Sequence, residues 1–342
     1  MSTHERFMRE AIELSRQGFP FHAHVGCVLV KDNKVVGVGF HDYTGGPHAE
    51  VVAIRDARER ARGSTAYVTL EPCNHHGKTP PCTDALLDAG IKEVYVAVAD
   101  PNPKASGGIE KLQSAGINVH LGVCAAEAFA ANAQFHFALQ TGRPMVTVKA
   151  GMTLDGKIAL PSGESKWITS DASRQDAMVL RAQVGCVLVG RKTAEIDRAR
   201  LNVRGIDVVH QPLRVVIDPK GKLERDLPIF DESAPTLHLT GDGLDPVTIL
   251  QKIRESDRAG VLIEGGPTTV AYFMQAALVE RLVLYIAPKV FGDGMSWLGA
   301  FGLSKIDLSP GFELVETSVI DGDVKLVYHS RNFQKFLSSY NM

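Results

Sequence analysis

The sequence predicts two α/β domains in tandem. Its 342 residues exceed the length of one average domain. Strand-like and helix-like segments alternate through both halves, the pattern of a largely parallel sheet sandwiched by helices. QTGRP at 140–144, a short polar connection with turn residues, separates one run of alternation from the next. The boundary is therefore set at 143, giving domains of residues 1–143 and 144–342.

Residues 3–17 bring Phe7, Met8, Ala11, Ile12 and Leu14 onto a helical period, with Ser2 or Thr3 as cap and Gly18 and Pro20 as stop. VGCVLV (25–30) and VVGVGF (35–40) flank KDNK and read as a hairpin. A helix (49–61), a strand (65–70), a helix ending on Gly90 (82–90) and a strand (92–100) follow. A helix (109–116), a strand (118–123) and a helix (125–139) close the first domain. In the second, 145–151 is a strand and Ser170 caps a helix. Segments 184–190, 213–218, 236–240 and 261–264 are strands, 267–278 a helix, and 281–288, 312–320 and 324–329 late strands. VGCVLV recurs at 184–189 with unrelated flanks, so it is a shared solution to burying a strand rather than a repeat.

Hydrophobic content of 44% and charged content of 22% are those of a globular protein. A net charge of −2 provides no basic field for nucleic acid or an anionic membrane. The first residues are charged and amphipathic rather than a signal peptide, and no apolar run reaches the ~18 residues of a membrane helix. A reduced, cytoplasmic protein is expected. Cys27, Cys73, Cys82, Cys124 and Cys186 form an odd set without regular spacing, which argues against a disulfide framework. Cys27 and Cys186 lie in apolar strands and read as small buried hydrophobes. Cys124 has no evident partner.

The chemistry concentrates in HAE at 48–50 and LEPCNHHGKTPPC at 70–82. A lone His is usually a turn residue and a lone Cys usually a buried one; the joint spacing is what carries the reading. His48, Cys73 and Cys82 supply three zinc ligands and leave a fourth position for water, the catalytic pattern. H-x-E followed by P-C and a later Cys is the signature of zinc-dependent nucleobase deaminases. Here eight residues lie between the cysteines where the general motif has two. Cys82 opens a helix, whose dipole favours a thiolate. Zinc lowers the pKa of a bound water to about 7, and Glu50 is placed to take its proton and pass it to a departing amine. The substrate is then an amino-substituted N-heterocycle.

In the second half, VLIEGGPTTVAYF reads as strand, Gly-Gly, helix, a place where backbone N–H groups can meet a pyrophosphate. No G-x-G-x-x-G is present, which argues against a Rossmann domain. Arg181 and Arg204 are candidate phosphate clamps.

The NHHGKTPP insert, GGPHAEVVA and DPNP at 101–104 resemble the deaminase domain of bifunctional riboflavin-biosynthesis enzymes, and the resemblance covers nearly the whole chain. That family's loop reads C-S-H-x-G-R/K-T-P-P-C, so His75, Lys78 and Thr79 fall on motif positions and Asn74 replaces Ser. Where the family has P-N-P-x-V-G-C-V, this chain has FHAHVGCV, with His22 at the position of a substrate-contacting Asn; His41 is retained. KAGMTLDGKIA (149–159), SGESKWIT (162–169), LRAQ (180–183) and VGRKT (189–193) resemble the family's reductase domain, which is similar to dihydrofolate reductase.

The resemblance implies a cytidine-deaminase-like three-layer domain followed by a dihydrofolate-reductase-like domain. It implies that Ser165, Arg181, Leu201, Arg204 and Glu264 face a ribosyl-phosphate substrate. It implies that Gly151, Trp167, Thr193, Asp197, Gly266, Pro267, Thr268, Thr269, Val270, Ala271 and Tyr272 face NADPH, with Lys149 and Asp155 near the reaction centre. T-x-x-x-D-D-P-x-L-x-x-R appears as TAEIDRARLNVR, with Arg198 and Ala199 in place of Asp-Pro. Lys192 and Lys220 are the candidates for the 2′-phosphate of the cofactor. The expected reactions are zinc-dependent loss of the 2-amino group of 2,5-diamino-6-(5-phosphoribosylamino)pyrimidin-4(3H)-one, then NADPH reduction of its ribosyl chain. One alternative is a deaminase with a redox-inactive second domain for binding or oligomerisation. Another, a nucleic-acid-editing deaminase, is disfavoured by the net charge and by the lack of a basic, aromatic-rich segment. The expected partners are the small-molecule pyrimidine and further copies of the chain, with no nucleic acid and no membrane.

Overall fold

The Ser2 hydroxyl accepts the Glu5 N–H while the Glu5 carboxylate accepts the Ser2 N–H, a capping box that starts helix α1 (Thr3–Ser15). The computed structural model describes residues 2–19, 21, 23–75 and 80–341, so His22, Lys78 and Thr79 lie outside the described residues. The chain forms two compact units, Met1–Thr141 with Leu337–Met342, and Gly142–Phe336.

The first unit continues with β1 (Gly26–Lys31), β2 (Lys34–Phe40), α2 (Ala49–Ala57) and β3 (Thr65–Leu70). Then come α3 (Cys82–Asp88), β4 (Glu93–Val98), α4 (Gly108–Ser114), β5 (Asn118–Leu121), α5 (Ala125–Ala131) and α6 (Ala133–Thr141). The sheet order is β2-β1-β3-β4-β5. β1 is antiparallel to both neighbours, whereas β3, β4 and β5 are parallel. The sheet is thus mixed rather than largely parallel, because the hairpin turns the chain back before the first helical crossover. The single helix expected at 125–139 breaks at Asn132, whose side-chain oxygen accepts the His24 N–H at 3.0 Å. Cys27, Leu29, Ala53, Val68, Leu86, Val96 and Leu112 form the core between the sheet and its helices.

The second unit contains β6 (Met145–Thr153), β7 (Lys157–Ala159), α7 (Asp171–Val184), β8 (Cys186–Gly190), α8 (Arg191–Ile196) and β9 (Leu213–Ile217). β10 (Thr236–Leu239), α9 (Pro246–Glu255), β11 (Gly260–Ile263), α10 (Pro267–Gln275) and β12 (Arg281–Ala287) follow. β13 (Met295–Ser296), β14 (Phe312–Ile320), β15 (Asp323–Ser330) and α11 (Arg331–Ser338) complete the chain's regular elements. Eight strands run in the order β10-β9-β8-β11-β6-β12-β15-β14, parallel as far as β12 and antiparallel beyond it. Ser170 caps α7 as expected, accepting the Ser173 N–H, and Gly185 ends that helix in a left-handed conformation. Helices α8, α9 and α11 go beyond the sequence reading. Val146, Val148, Leu188, Val215, Ile263 and Phe273 pack in one cluster of the core, and Leu180, Leu262, Val283 and Val327 in another.

The two copies of VGCVLV therefore occupy opposite contexts: β1 between antiparallel neighbours, β8 between parallel ones. Cys27 and Cys186 are both fully buried. Burial raises both thiols, Cys186 to about 12.

Candidate active sites

Two loop-to-helix junctions and one strand-to-loop junction of the first unit converge. His48 precedes α2, Cys82 is the first residue of α3, and Cys73 lies just beyond β3. His48 Nδ1 is 3.1 Å from Cys82 Sγ and 3.5 Å from Cys73 Sγ. The three ligand atoms all lie within 4.8 Å of one another. Zinc bonds of about 2.0–2.1 Å to nitrogen and about 2.3 Å to sulfur, set tetrahedrally, separate N from S by about 3.5 Å. The residues present fit a zinc ion, and an imidazole with two thiols is the donor set that favours it.

The two thiols differ. The Cys82 side chain hydrogen-bonds Cys73, and this with donation from the Cys82 N–H at 3.4 Å holds the Cys73 thiol well below its usual range. The same side-chain bond pushes Cys82 upward. Glu50, in the first turn of α2, is 3% exposed, and burial lifts its carboxyl to about 7. Such a group both takes and gives a proton near neutrality. His41 Nδ1 donates to the Pro47 carbonyl at 3.1 Å, and its ring meets that of His48 edge-on at 5.3 Å. His75 is exposed.

The bonding roles of two residues beside Cys73 escape sequence reasoning. Buried Glu71 accepts from the Gly108 N–H at 2.7 Å, the Ile109 N–H at 3.2 Å and the Asp100 N–H at 3.0 Å. Asn74 donates from its backbone to Ala105 O at 3.2 Å and from its side chain to Gly107 O at 3.3 Å. Together they strap the segment after β4 to the loop that carries Cys73. The available signal was their position, on either side of Pro72-Cys73.

In the second unit, Glu264 follows β11, Lys149 lies in β6 and Arg181 on α7. Arg181 grips Glu264 through Nε at 2.5 Å and Nη2 at 2.9 Å, and Lys149 Nζ reaches it at 3.0 Å. Burial alone would raise the Glu264 carboxyl, but Arg181 and then Lys149 hold it well below the usual range. Arg181, expected as a phosphate clamp, has its guanidinium committed to protein groups in this structure. Its guanidinium is buried, and its donors go to Glu264 and, at 2.9 Å, to Asn202 O. Arg204 is exposed and makes one bond, at 3.0 Å, to Asn202 Oδ1.

Leu201, expected at the substrate, is 4% exposed, and its side chain packs with Val187, Val216 and Ile229. Ser165 is half-buried in the loop after β7. Asp155 accepts from Thr153 Oγ1 at 2.6 Å and from the Phe291 and Gly292 N–H groups at 3.2 and 2.8 Å. These bonds, the Thr153 one foremost, bring its carboxyl to about 2 and clip two turns together.

The residues expected at NADPH gather at the carboxyl ends of the parallel strands, the usual ligand edge of such sheets. Gly151 lies in β6, Thr193 and Asp197 in and just after α8, and Gly266 caps α10. A Cβ on Gly190 would come within 2.6 Å of Thr269 Oγ1, and one on Gly266 within 3.0 Å of Thr193 Oγ1. This glycine-lined cradle at the start of a nine-residue helix fits a dinucleotide's pyrophosphate. The run from Gly266 to Tyr272 divides, however. Val270 and Ala271 turn into the interior, while Thr268 and Tyr272 are exposed. Only the first turn, with Pro267, Thr268 and Thr269, borders the cradle. Trp167 is 64% exposed under the Arg174 guanidinium, 4.4 Å from its ring centroid. Lys192 and Lys220 are both exposed. Arg198 takes a φ of +42°, and the Ala199 N–H donates to Ala194 O at 3.2 Å, a bond that a proline there would lack.

Residues 1–98 match the model of the cytidine and deoxycytidylate deaminase zinc-binding region, and residues 144–326 that of the RibD C-terminal domain. The chain is 41% identical to the riboflavin biosynthesis protein RibD of Aquifex aeolicus, over 89% of this chain and 92% of that one. It is 38% identical to RibD of Escherichia coli, over 94% and 98% respectively. The solved diaminohydroxyphosphoribosylaminopyrimidine deaminase/5-amino-6-(5-phosphoribosylamino)uracil reductase of Thermotoga maritima is 35% identical, with a TM-score of 0.87 over 96% of this chain and 99% of that one. Acinetobacter baumannii RibD gives 37% and 0.85 over the same shares.

Proposed function

The chain belongs to the RibD family, whose members join a deaminase to a reductase in riboflavin biosynthesis, and from that premise we propose which side chains carry each reaction. The deaminase acts on the diaminopyrimidinone phosphoribosylamine and the reductase on the uracil that results. The observation that carries the first assignment is the His48–Cys73–Cys82 cluster at zinc spacing, with a buried carboxyl two residues beyond His48. A zinc held there supplies Lewis acidity and a nucleophilic water near neutral pH. Glu50 moves the protons, from the water to the ring nitrogen and then to the leaving amine, so that water enters and ammonia departs. His41 holds the approach to His48 through Pro47. His75 faces solvent beside the site and is a candidate contact for the phosphoribosyl group, as are His22, Lys78 and Thr79.

In the second unit NADPH supplies hydride. Thr193, Gly266 and the first turn of α10 hold its pyrophosphate, with Gly151, Trp167 and Asp197 around it. Lys149, fixed by Glu264, is the proposed proton donor to the ribosyl oxygen, and exposed Arg204 with Ser165 meets the phosphate. Arg181 acts through Glu264. The redox-inactive alternative is not favoured, since relatives of this family cover both halves of the chain. Mass spectrometry of the full chain with the diaminopyrimidine tests the reading. Amine must give way to oxygen without NADPH, and two hydrogens must be gained with it. Glu50→Gln should block the first step, by about 10²–10⁴-fold, while reduction of the deaminated substrate persists.

A homo-oligomer is proposed through β14. This strand ends the sheet with Leu314 53%, Val315 42% and Val319 73% exposed, and an apolar edge of that length calls for cover. Val319→Lys should lower the mass seen by light scattering. No helix among the described residues is long and apolar enough to cross a membrane. The proposed location is the cytoplasm, whose reducing conditions keep thiol ligands available.

A further inference from the structure

Lys289 lies just beyond β12, at the carboxyl edge of the second sheet, and both its backbone and its side chain are engaged. Its carbonyl accepts the Leu154 N–H at 2.8 Å, just after β6. The carboxylate of the next residue, Asp155, accepts the Phe291 and Gly292 N–H groups at 3.2 and 2.8 Å. The backbone of 289–292 is therefore fixed to the turn that ends β6.

From that base the Lys289 ammonium donates to the Trp167 carbonyl at 2.8 Å and to the Ile168 carbonyl at 2.7 Å. An ammonium is a compact charge with three protons, so one lysine can hold two carbonyls at once. Two successive carbonyls on one cation set the course of the backbone between them. The residues that follow are anchored as well. Ile168 is buried, and a Cβ on Gly151 of β6 would stand 3.3 Å from Thr169 Cγ2. The Ser170 N–H donates at 2.7 Å to Asp323 Oδ2, a carboxylate buried in β15. The backbone at Trp167 is thus held against the sheet, while its indole stays largely in solvent. A wide ring on a backbone already set costs less ordering when a ligand lands on it.

We propose that Lys289 is a positioning residue for the reduction: by holding the Trp167 and Ile168 carbonyls it presents the Trp167 indole to the nicotinamide dinucleotide. Lys289 acts through that loop and makes no contact of its own with the cofactor. This rests on the assignment of Trp167 to the NADPH site.

The test uses the full chain, with Kd for NADPH and for NADH read by fluorescence titration. Lys289→Met keeps an unbranched apolar stem and loses the donors. It should weaken both cofactors by the same factor, about tenfold, because two charge-assisted bonds that preorganise the loop are gone. Amide hydrogen exchange should quicken at 167–170 and not at 186–190. Deamination kcat/KM should stay within about twofold of the parent. In a Trp167→Ala background, Lys289→Met should change either Kd by less than about twofold, since no indole is left to position. Weakening of NADPH alone overturns the proposal, because Lys289 would then meet the 2′-phosphate directly. Independent losses in the double variant overturn it too, as does unchanged exchange at 167–170. If Trp167→Ala alone leaves both Kd values unchanged, the cofactor assignment of Trp167 falls and takes the proposal with it. If Trp167→Ala weakens binding and Lys289→Met does not, the assignment stands and the positioning role alone is refuted.

Discussion

Replacing Glu264 by Gln takes one negative charge from between two cations while keeping the shape of the side chain. The side chains concerned are 5% exposed for Glu264, 10% for Arg181 and 19% for Lys149. Removing one partner of a buried ion pair costs about 3–5 kcal/mol, because the remaining charge is left in a poor solvent for it. Here two like charges remain, so the upper part of that range is expected. Domains are held by about 5–15 kcal/mol, so a third or more of the second unit's stability is at stake. At about 2–4 °C per kcal/mol for a unit of this size, its melting temperature should fall by about 6–20 °C. Calorimetry of Glu264→Gln, Arg181→Met and the double variant measures both the loss and the coupling, and the double should cost far less than the sum. The folded carboxyl titrates below its unfolded value of about 4.3, so its contribution is complete above that pH and is lost as pH falls below it. The gap between parent and Glu264→Gln should therefore be flat around neutrality and close in acid. Melting within about 2 °C of the parent, or additive single losses, would refute the account.

Three further outcomes are expected. Stripping zinc with a chelator should lower the melting of the first unit and leave the transition of the second in place, because a ligand bound only by the folded form stabilises it by mass action; calorimetry with readdition of zinc checks this. His136 is 1% exposed with neither ring nitrogen hydrogen-bonded, and burial lowers its pKa to about 4. The unfolded chain binds the extra proton first, so this group removes stability as pH falls from about 6.5 towards 4, at up to about 1.4 kcal/mol per pH unit. His136→Leu should flatten that part of the first unit's pH–melting curve, and an unaltered slope would show that other groups dominate. Gly190→Ala should weaken NADPH binding about tenfold with little change in melting, since the new methyl group displaces the Thr269 hydroxyl in the cradle. Fluorescence titration of NADPH reads this directly, and an unchanged Kd would move the cofactor elsewhere.

The zinc cluster was legible because its ligands are chemically distinctive and their spacing survives in the chain. The Arg181–Glu264–Lys149 pairing was not. Its members come from one helix, the middle of one strand and the end of another, and a charged residue in a sequence does not say whether its partner is a ligand or another side chain. Leu201 shows the same limit from the apolar side, since only the fold decides that its side chain points inward. The break at Asn132 was hidden because an Asn within a helical period is ordinary until a distant N–H, that of His24, claims its oxygen. α9 could have been read from Asp245-Pro246, a cap followed by a first-turn proline. The mixed first sheet followed from the hairpin already recognised at 25–40, whose antiparallel turn the alternation rule does not count.

The hexapeptide shared by β1 and β8 bears on how far like letters imply like causes. Each copy carries a glycine before its cysteine. Gly26 has no room for a methyl group, which would sit 1.9 Å from the Ala11 carbonyl oxygen of α1. Gly185 is set by torsion instead: it stands at a φ of +71°, which an L side chain rarely adopts. Alanine at 26 would have to push a helix away, whereas alanine at 185 would have to twist the backbone where it stands. A substitution table would score the two alike, although one is a question of space between elements and the other of torsion within one.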